Sequence, residues 1–101
     1  GPSGQNIYPE EVETVINSQP YVVDSLVIEE DGGLTALIYP DFQQGAREGM
    51  NQKAFAEFIE GTLSELNKEL PNYARLKKVK VMTEDFERTP KKSIKRYLYQ
   101  H

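Results

Sequence analysis

Apolar residues recur at helical spacing in two parts of the chain, one near the N-terminus and one in the middle. The first stripe consists of Tyr8, Val12, Val15 and Ile16, and the second of Phe55, Phe58, Ile59, Leu63, Leu66 and Leu70. Pro9 falls in the first turn, where a helix tolerates proline, whereas residues 17–20 and Pro71 supply stops. The pattern therefore predicts a short N-terminal helix and a long amphipathic helix over residues 52–70.

Three other stretches have the composition of β-strands. Residues 21–29 are rich in valine and leucine and contain Asp24 as their only interior charge, and residues 34–39 form a second apolar run. The Asp-Gly pair within residues 30–33 is a favoured hairpin turn between these two runs. Residues 76–82 alternate lysine with valine, which indicates a half-exposed strand. We therefore expect an α+β fold, a small three-stranded sheet covered by helices, with residues 41–51 as a surface loop.

The C-terminal stretch, residues 88–96, concentrates positive charge in a chain of net charge −4. Its five cationic side chains are Arg88, Lys91, Lys92, Lys95 and Arg96. Pro90 disfavours a regular helix before it, and Ser93 is a candidate N-cap for a short helix whose apolar face would be formed by Ile94, Tyr97 and Leu98. The stretch is predicted to be an exposed loop suited to an anion such as a phosphate or a carboxylate, with a solvated charge run as the alternative.

Composition narrows the function classes. The 101 residues are expected to form one domain, 1–101, and with no cysteine the chain has neither disulfides nor thiolate chemistry, which fits a cytoplasmic location. The single histidine, at position 101, argues against both a histidine-based triad and a structural metal site. Residues 1–70 carry thirteen acidic and three basic side chains, whereas residues 71–101 carry three and nine. So acidic a body argues against a nucleic-acid partner.

Two segments resemble one family of enzymes. Residues 4–13, Gly-Gln-Asn-Ile-Tyr-Pro-Glu-Glu-Val-Glu, are similar to the Gly-x-x-Ile-x-Pro-x-Glu-(Ile/Val)-Glu motif of the adenylate-forming (AMP-binding) enzymes. Residues 88–96, Arg-Thr-Pro-Lys-Lys-Ser-Ile-Lys-Arg, are similar to the Arg-Thr-x-x-x-Lys-(Ile/Leu)-(Lys/Arg)-Arg signature near the C-terminus of that family. Each motif alone is a weak pattern, but the two together, with a matching order of elements between them, span nearly the whole chain.

The resemblance implies that residues 1–101 are the C-terminal lid domain of an acyl-CoA synthetase, and the wording of the second motif favours a long-chain fatty acid–CoA ligase. Such an acid–thiol ligase forms an acyl-adenylate and then acyl-CoA, and the lid alone is expected to be inactive. The N-terminal adenylation domain, which lies outside this chain, is the implied partner. Fatty acid, ATP, CoA and Mg²⁺ are the substrates and cofactors implied for the full-length enzyme, and none of them is expected to bind the lid alone. Contact with a membrane surface is expected only through the full-length enzyme.

The resemblance also assigns candidate site residues. Counted from Thr89, the lysine of the family signature, which reaches substrate carboxylate and phosphate oxygens, falls at Ser93, and serine cannot supply that charge. Lys92 is the first candidate to replace it and Lys95 the second; alternatively, adenylation uses groups of the N-terminal domain alone. The glycine-containing segment is expected to line the pantetheine side of the CoA tunnel, through Gly4, Gln5 and Asn6. No metal ligand is expected.

Several interpretations stay open beside this one. The chain could instead be a stand-alone, non-catalytic binding or regulatory module that kept the fold and lost the lysine, or, less favoured, a small nucleic-acid binder. The glutamates at positions 10, 11 and 13 are expected to compensate the helix dipole or form salt bridges. Tyr97 and Tyr99 are expected to pack. The strand lysines at positions 77, 78 and 80 are expected to form a solvated face, with contact to CoA phosphates as the alternative.

Overall fold

The computed structural model describes residues 8–100 and contains a three-stranded mixed sheet with three α-helices. The elements are, in order, α1 (Pro9–Asn17), β1 (Val22–Glu30), β2 (Gly33–Pro40), α2 (Phe42–Arg47), α3 (Gln52–Asn67) and β3 (Leu76–Val81). Two 3₁₀ turns, Asn72–Ala74 and Arg96–Leu98, precede and follow β3. The strand order is β1-β2-β3, with β1 antiparallel and β3 parallel to β2. This arrangement confirms the predicted α+β class.

The predicted hairpin between β1 and β2 is also confirmed. Asp31 and Gly32 are its two turn residues, with φ values of 52° and 78°. A two-residue turn with positive φ at both positions matches the right-handed twist of the flanking strands, and the Asp-Gly pair adopts it readily. The turn fixes the register in which Glu30 faces Gly33.

Residues 41–51 are not simply a surface loop, because they contain α2. Asp41 is the N-cap of this helix, and its carboxylate accepts a hydrogen bond of 3.0 Å from the backbone N–H of Gln44. The buried Gly45 of α2 lies against the ring of Phe55, which brings α2 close to α3. The prediction failed because the glycine and the polar side chains of this segment obscure a helix of only six residues.

The two faces of the sheet are covered in different ways. On one face, α1 and α3 bury the main core, whose members are Val12, Ile16, Val27, Leu34, Ala36, Ile38, Phe55, Ile59, Leu63, Leu66, Leu70, Ala74 and Leu76. On the other face, the segment that follows β3 covers a smaller cluster formed by Leu26, Ile28, Leu37 and Phe86, with Tyr39, Met82, Ile94 and Tyr99 beside it. The C-terminal segment is therefore part of the fold.

The predicted C-terminal helix starting at Ser93 is wrong. The only helical turn there is the three-residue 3₁₀ turn that begins at Arg96, and it has no side-chain cap. Ser93 cannot start a helix because its carbonyl accepts the N–H of Thr89 in a hairpin. Packing by Tyr97 is wrong as well, since it is 70% exposed. Tyr99 packs as expected, with its ring edge-to-face against Phe86 at 5.3 Å.

Within residues 8–100, no helix combines the length and the apolar character that crossing a membrane requires.

Candidate anion-binding hairpin

Residues 88–94 form a tight hairpin, called the basic hairpin below. Arg88 and Ile94 form an antiparallel β-bridge. Inside it, the N–H of Thr89 donates to the carbonyl of Ser93 at 2.8 Å, and the N–H of Lys92 donates to the carbonyl of Thr89 at 2.8 Å. The Thr89 hydroxyl accepts the N–H of Ser93 at 3.2 Å. Pro90 follows Thr89 in the turn, at a position that favours proline because the ring fixes φ near the value that the turn requires. The tip therefore has a defined backbone shape.

Lys92 occupies an uncommon backbone conformation at this tip. Its φ is 69°, in the left-handed region that favours glycine, and only two other non-glycine residues within 8–100 share this property, Tyr21 and Asp31. A turn followed by one left-handed residue is a common way to close a short hairpin. The side chain of Lys92 is exposed at this tip.

Arg88 is held by other residues of the domain. Its guanidinium donates to the carboxylates of Asp24 at 2.8 Å and Asp85 at 3.1 Å. It also donates to the carbonyl of Lys92 at 3.2 Å. The hydrogen bonds to Asp24 and Asp85 raise the pKa of Arg88 above its ordinary value, so the charge is permanent.

Arg96 is engaged in the same way on the other side of the hairpin. It makes two hydrogen bonds to the Glu13 carboxylate and lies 3.8 Å from a carboxylate oxygen of Glu10. The hydrogen bonding to Glu13 raises the pKa of Arg96. The prediction that glutamates of the first helix form salt bridges is therefore confirmed for Glu10 and Glu13, while Glu11 is exposed.

Three cations of the run remain unpaired within the described part of the chain. Lys91 and Lys92 are exposed at the tip, and Lys95 is half-buried. None of these three has a carboxylate of residues 8–100 within 4.0 Å. Their ammonium groups can therefore bind an external anion without first breaking an ion pair. Ser93 is exposed beside them and offers a hydroxyl.

The lysines of β3 are used differently. Lys77 donates to the carbonyl of Asp31 at 2.8 Å, and Lys80 lies 3.2 Å from the carboxylate of Glu30. The hydrogen bond from Lys80 lowers the pKa of Glu30. Lys77 and Lys78 are exposed and Lys80 is partly so, as expected for an edge strand whose charges discourage pairing with other chains.

Sequence reasoning predicted the lysine-rich loop but missed Asp24 and Asp85 as its carboxylate partners, and it named no partner for Glu13. Asp24 lies 64 residues from Arg88 and Glu13 lies 83 residues from Arg96, whereas Asp85 is only three residues from Arg88. A signal existed for Asp24, because it is the lone charge in an apolar strand and such a charge normally requires a partner. Gly4, Gln5 and Asn6 lie outside the described residues. Among residues 8–100, no cluster of three or more histidine, aspartate or glutamate side chains is arranged to hold a metal ion.

The fold and the hairpin together define a small α+β domain that presents lysines near its C-terminus. Residues 2–100 match the profile of the family described as AMP-binding enzyme C-terminal domain, and the chain belongs to this family. A comparison with curated protein sequences gave no match.

Solved structures with the same fold come from several adenylate-forming enzymes. The adenylation domain of a carboxylate reductase from Mycobacterium chelonae aligns with a TM-score of 0.73 at 19% identity, over 96% of this chain and 16% of that one. Apo MatB from Rhodopseudomonas palustris aligns with a TM-score of 0.64 at 24% identity, over 95% of this chain and 18% of that one. A fatty acyl-CoA synthetase from Mycobacterium tuberculosis aligns with a TM-score of 0.59 at 25% identity, again over 95% of this chain and 18% of that one. The chain thus spans less than a fifth of each structure.

Proposed function

We propose that this chain is the mobile C-terminal lid of an ATP-dependent acyl-CoA ligase, with a fatty acid as the acid substrate. The observation that carries the proposal is the set of lysines at the basic hairpin and directly after it. In a domain of the AMP-binding enzyme family, Lys91, Lys92 and Lys95 have no carboxylate partner among residues 8–100. The similarity to a fatty acyl-CoA synthetase, at 25% identity, supports the fatty acid as substrate.

In this proposal, the lid completes the site in which the adenylation domain binds ATP and the acid. The reaction joins the carboxylate to the α-phosphate of ATP and releases pyrophosphate. The thiol of CoA then attacks the acyl carbon of the acyl-adenylate and displaces AMP. Lys92 would contact the carboxylate and phosphate oxygens, where negative charge is concentrated. A correctly placed cation at such a position contributes on the order of 10²–10³ in rate. Lys95 is the second candidate, and Mg²⁺ would be held by groups outside residues 8–100.

The lid would then turn so that its glycine-containing N-terminal segment faces the site. Gly4, Gln5 and Asn6 would line the pantetheine side of the tunnel during thioester formation. Rigid-body rotation of one domain about a hinge is a common switching motion. The proposal thus gives the two ends of the domain separate half-reactions.

The test measures the two half-reactions in the full-length enzyme. We expect Lys92→Ala to slow acyl-adenylate formation by about 100-fold, because it removes a charge that is stabilising in the transition state. Thioester formation from preformed acyl-adenylate should change little. Lys91→Ala is the matched control, since it removes an exposed lysine from the same tip. A Lys92→Ala enzyme with wild-type adenylation would remove Lys92 from this role, and Lys95→Ala would then be measured.

A second candidate function is a non-catalytic binding module with the same fold. It is favoured by Ser93, which stands where the family signature has its lysine. The two candidates differ in the coding region upstream, where the ligase requires an adenylation domain. They differ also in Ser93→Lys, which should restore adenylation in a full-length protein that has lost it and change little in an active one.

A further inference from the structure

We propose that Asp24 and Arg88 are positioning residues that hold the tip of the basic hairpin so that Lys92 faces its ligand. This inference rests on the proposed function, and it assigns a role to two side chains that need not touch a substrate. It starts from a continuous set of hydrogen bonds that runs from β1 to the backbone of Lys92.

Arg88 is the centre of this set. One terminal nitrogen of its guanidinium binds both Asp24, at 2.8 Å, and Asp85, at 3.1 Å. The other terminal nitrogen binds the carbonyl oxygen of Lys92 at 3.2 Å. A guanidinium is planar and rigid, so fixing one nitrogen also fixes the direction of the other. The position of the Lys92 carbonyl is therefore set from outside the tip.

Asp24 is itself held in place before it meets the arginine. Its second carboxylate oxygen accepts the backbone N–H of Ser25 at 2.8 Å and the side-chain amide of Asn17 at 3.3 Å. Asn17 is the last residue of α1, and Ser25 is buried in β1. The set of contacts thus begins in the rigid body of the domain and ends at the hairpin.

Two features of the tip oppose its closed backbone conformation, so contacts from the rest of the domain are needed to maintain it. Lys92 has a φ of 69°, which a residue with a side chain adopts only when its surroundings impose it. In addition, the hairpin brings several cations together, and their mutual repulsion opposes the closed shape. The carboxylates of Asp24 and Asp85 offset this repulsion, and the Arg88 contact to Lys92 maintains the left-handed backbone.

The first test measures acyl-adenylate formation in the full-length enzyme with Asp24→Asn and with Arg88→Lys. Arg88→Lys keeps the positive charge but loses the planar guanidinium, so the Lys92 carbonyl should no longer be held in place. We expect each variant to lower the rate constant about tenfold with the KM for ATP within about twofold of wild type. Glu57→Gln, which removes one exposed acidic charge from α3, is the matched control and should have no effect.

A double-mutant cycle separates positioning from general damage. If Asp24 acts through Lys92, Asp24→Asn should have no further effect in a Lys92→Ala background. Additive losses in the double variant would overturn the proposal, and so would a wild-type rate for both single variants. The midpoints of urea unfolding of the variants show whether a loss of rate is only a loss of folded protein.

A second measurement does not depend on catalysis. In this 101-residue chain, ¹⁵N relaxation of the Lys92 and Ser93 amides reports the order of the tip. We expect order parameters near 0.85 in the wild type and below about 0.6 in Asp24→Asn and Arg88→Lys. Unchanged order parameters would overturn the proposal. If the tip loosens but Lys92→Ala adenylates normally, the contacts hold the hairpin and the proposed function of Lys92 is what fails.

Discussion

Arg96 and Glu13 join the first helix to the C-terminal segment across 83 residues of sequence. The guanidinium donates two hydrogen bonds to the carboxylate, at 2.9 and 2.5 Å. The same carboxylate accepts the N–H of Val27 at 2.8 Å, on the side of β1 that faces away from β2. Glu13 therefore satisfies a backbone N–H at the outer edge of β1 and, through Arg96, holds the segment that follows the basic hairpin.

We expect Glu13→Ala to destabilise the domain by about 2–3 kcal/mol, because it leaves the Val27 N–H without a partner and Arg96 without its carboxylate. Glu13→Gln should cost less, about 1 kcal/mol, since the amide oxygen still accepts from Val27. The side chain of Glu13 is only 9% exposed, so water replaces these contacts poorly. Urea unfolding of the two variants measures the difference.

Glu10→Gln is the control for this prediction. Glu10 lies 3.8 Å from Arg96, and its side chain is 68% exposed. Exposed pairs at this distance contribute less than about 1 kcal/mol, so we expect a shift of no more than about 0.5 kcal/mol. If Glu10→Gln and Glu13→Ala had equal effects, the buried contact to Val27 would not be the main contribution.

Lys92→Gly should increase stability while it decreases activity. A left-handed backbone costs a residue with a side chain about 1–2 kcal/mol, and glycine removes this cost. The greater freedom of glycine in the unfolded chain offsets part of the gain, so we expect a net increase of about 0.5 kcal/mol. Under the proposed function, the same change removes the ammonium group and slows adenylate formation.

Lys91→Gly provides the comparison, because Lys91 does not have a positive φ. At Lys91 glycine only increases the conformational freedom of the unfolded chain, with no backbone strain to relieve. We therefore expect Lys91→Gly to lower the free energy of unfolding by about 0.5–1 kcal/mol. Thermal unfolding of both variants measures whether Lys92→Gly is stabilising and Lys91→Gly destabilising, as expected. A destabilised Lys92→Gly domain would mean that the side chain of Lys92 makes contacts worth more than the backbone strain.

The fold could be predicted in its main parts because the signals are local. The stripes of α1 and α3 and the Asp-Gly turn each depend on residues close in sequence, and each predicts the observed element. The C-terminal segment was predicted wrongly because its structure depends on distant partners. Ile94 packs against the sheet and Arg96 binds Glu13, and neither contact leaves a periodic pattern in the sequence.

The candidate site was predictable as a cluster of charges but not as an arrangement. Sequence reasoning assigned all five cations to one anion-binding loop and, through the family resemblance, singled out Lys92 and Lys95. The structure divides the five into two arginines with carboxylate partners and three lysines without one among residues 8–100. Arginine suits this structural role because one guanidinium donates to several oxygens at once, as Arg88 and Arg96 both do. The structural role of the two arginines could have been predicted on that ground, whereas the three lysines stay candidates for binding an anion.

Gly45 and Gly61 should respond in opposite ways to alanine. A Cβ at Gly45 would lie 2.7 Å from the ring of the buried Phe55, so we expect Gly45→Ala to cost about 1–3 kcal/mol through overpacking. A Cβ at Gly61, inside α3, meets no atom within 4 Å, and Gly61→Ala should stabilise by about 0.5–1 kcal/mol through helix propensity. Urea unfolding checks both. A stabilising Gly45→Ala would mean that α2 can move away from α3 at little cost.

Lys80 and Glu30 should give the domain a measurable response to acid. The hydrogen bond from Lys80 lowers the pKa of Glu30 below its ordinary value of 4.5. A carboxyl group with a lower pKa in the folded state adds stability that is fully present above about pH 4.5 and is lost as the pH falls through the folded-state pKa. Titration of the Glu30 carboxyl by ¹³C NMR should therefore give a midpoint below 4.5. Lys80→Met should move that midpoint upward, whereas Lys68→Met, which removes an exposed lysine from the end of α3, should leave it in place. An unchanged Glu30 midpoint in Lys80→Met would show that the pair separates in solution and contributes nothing to acid stability.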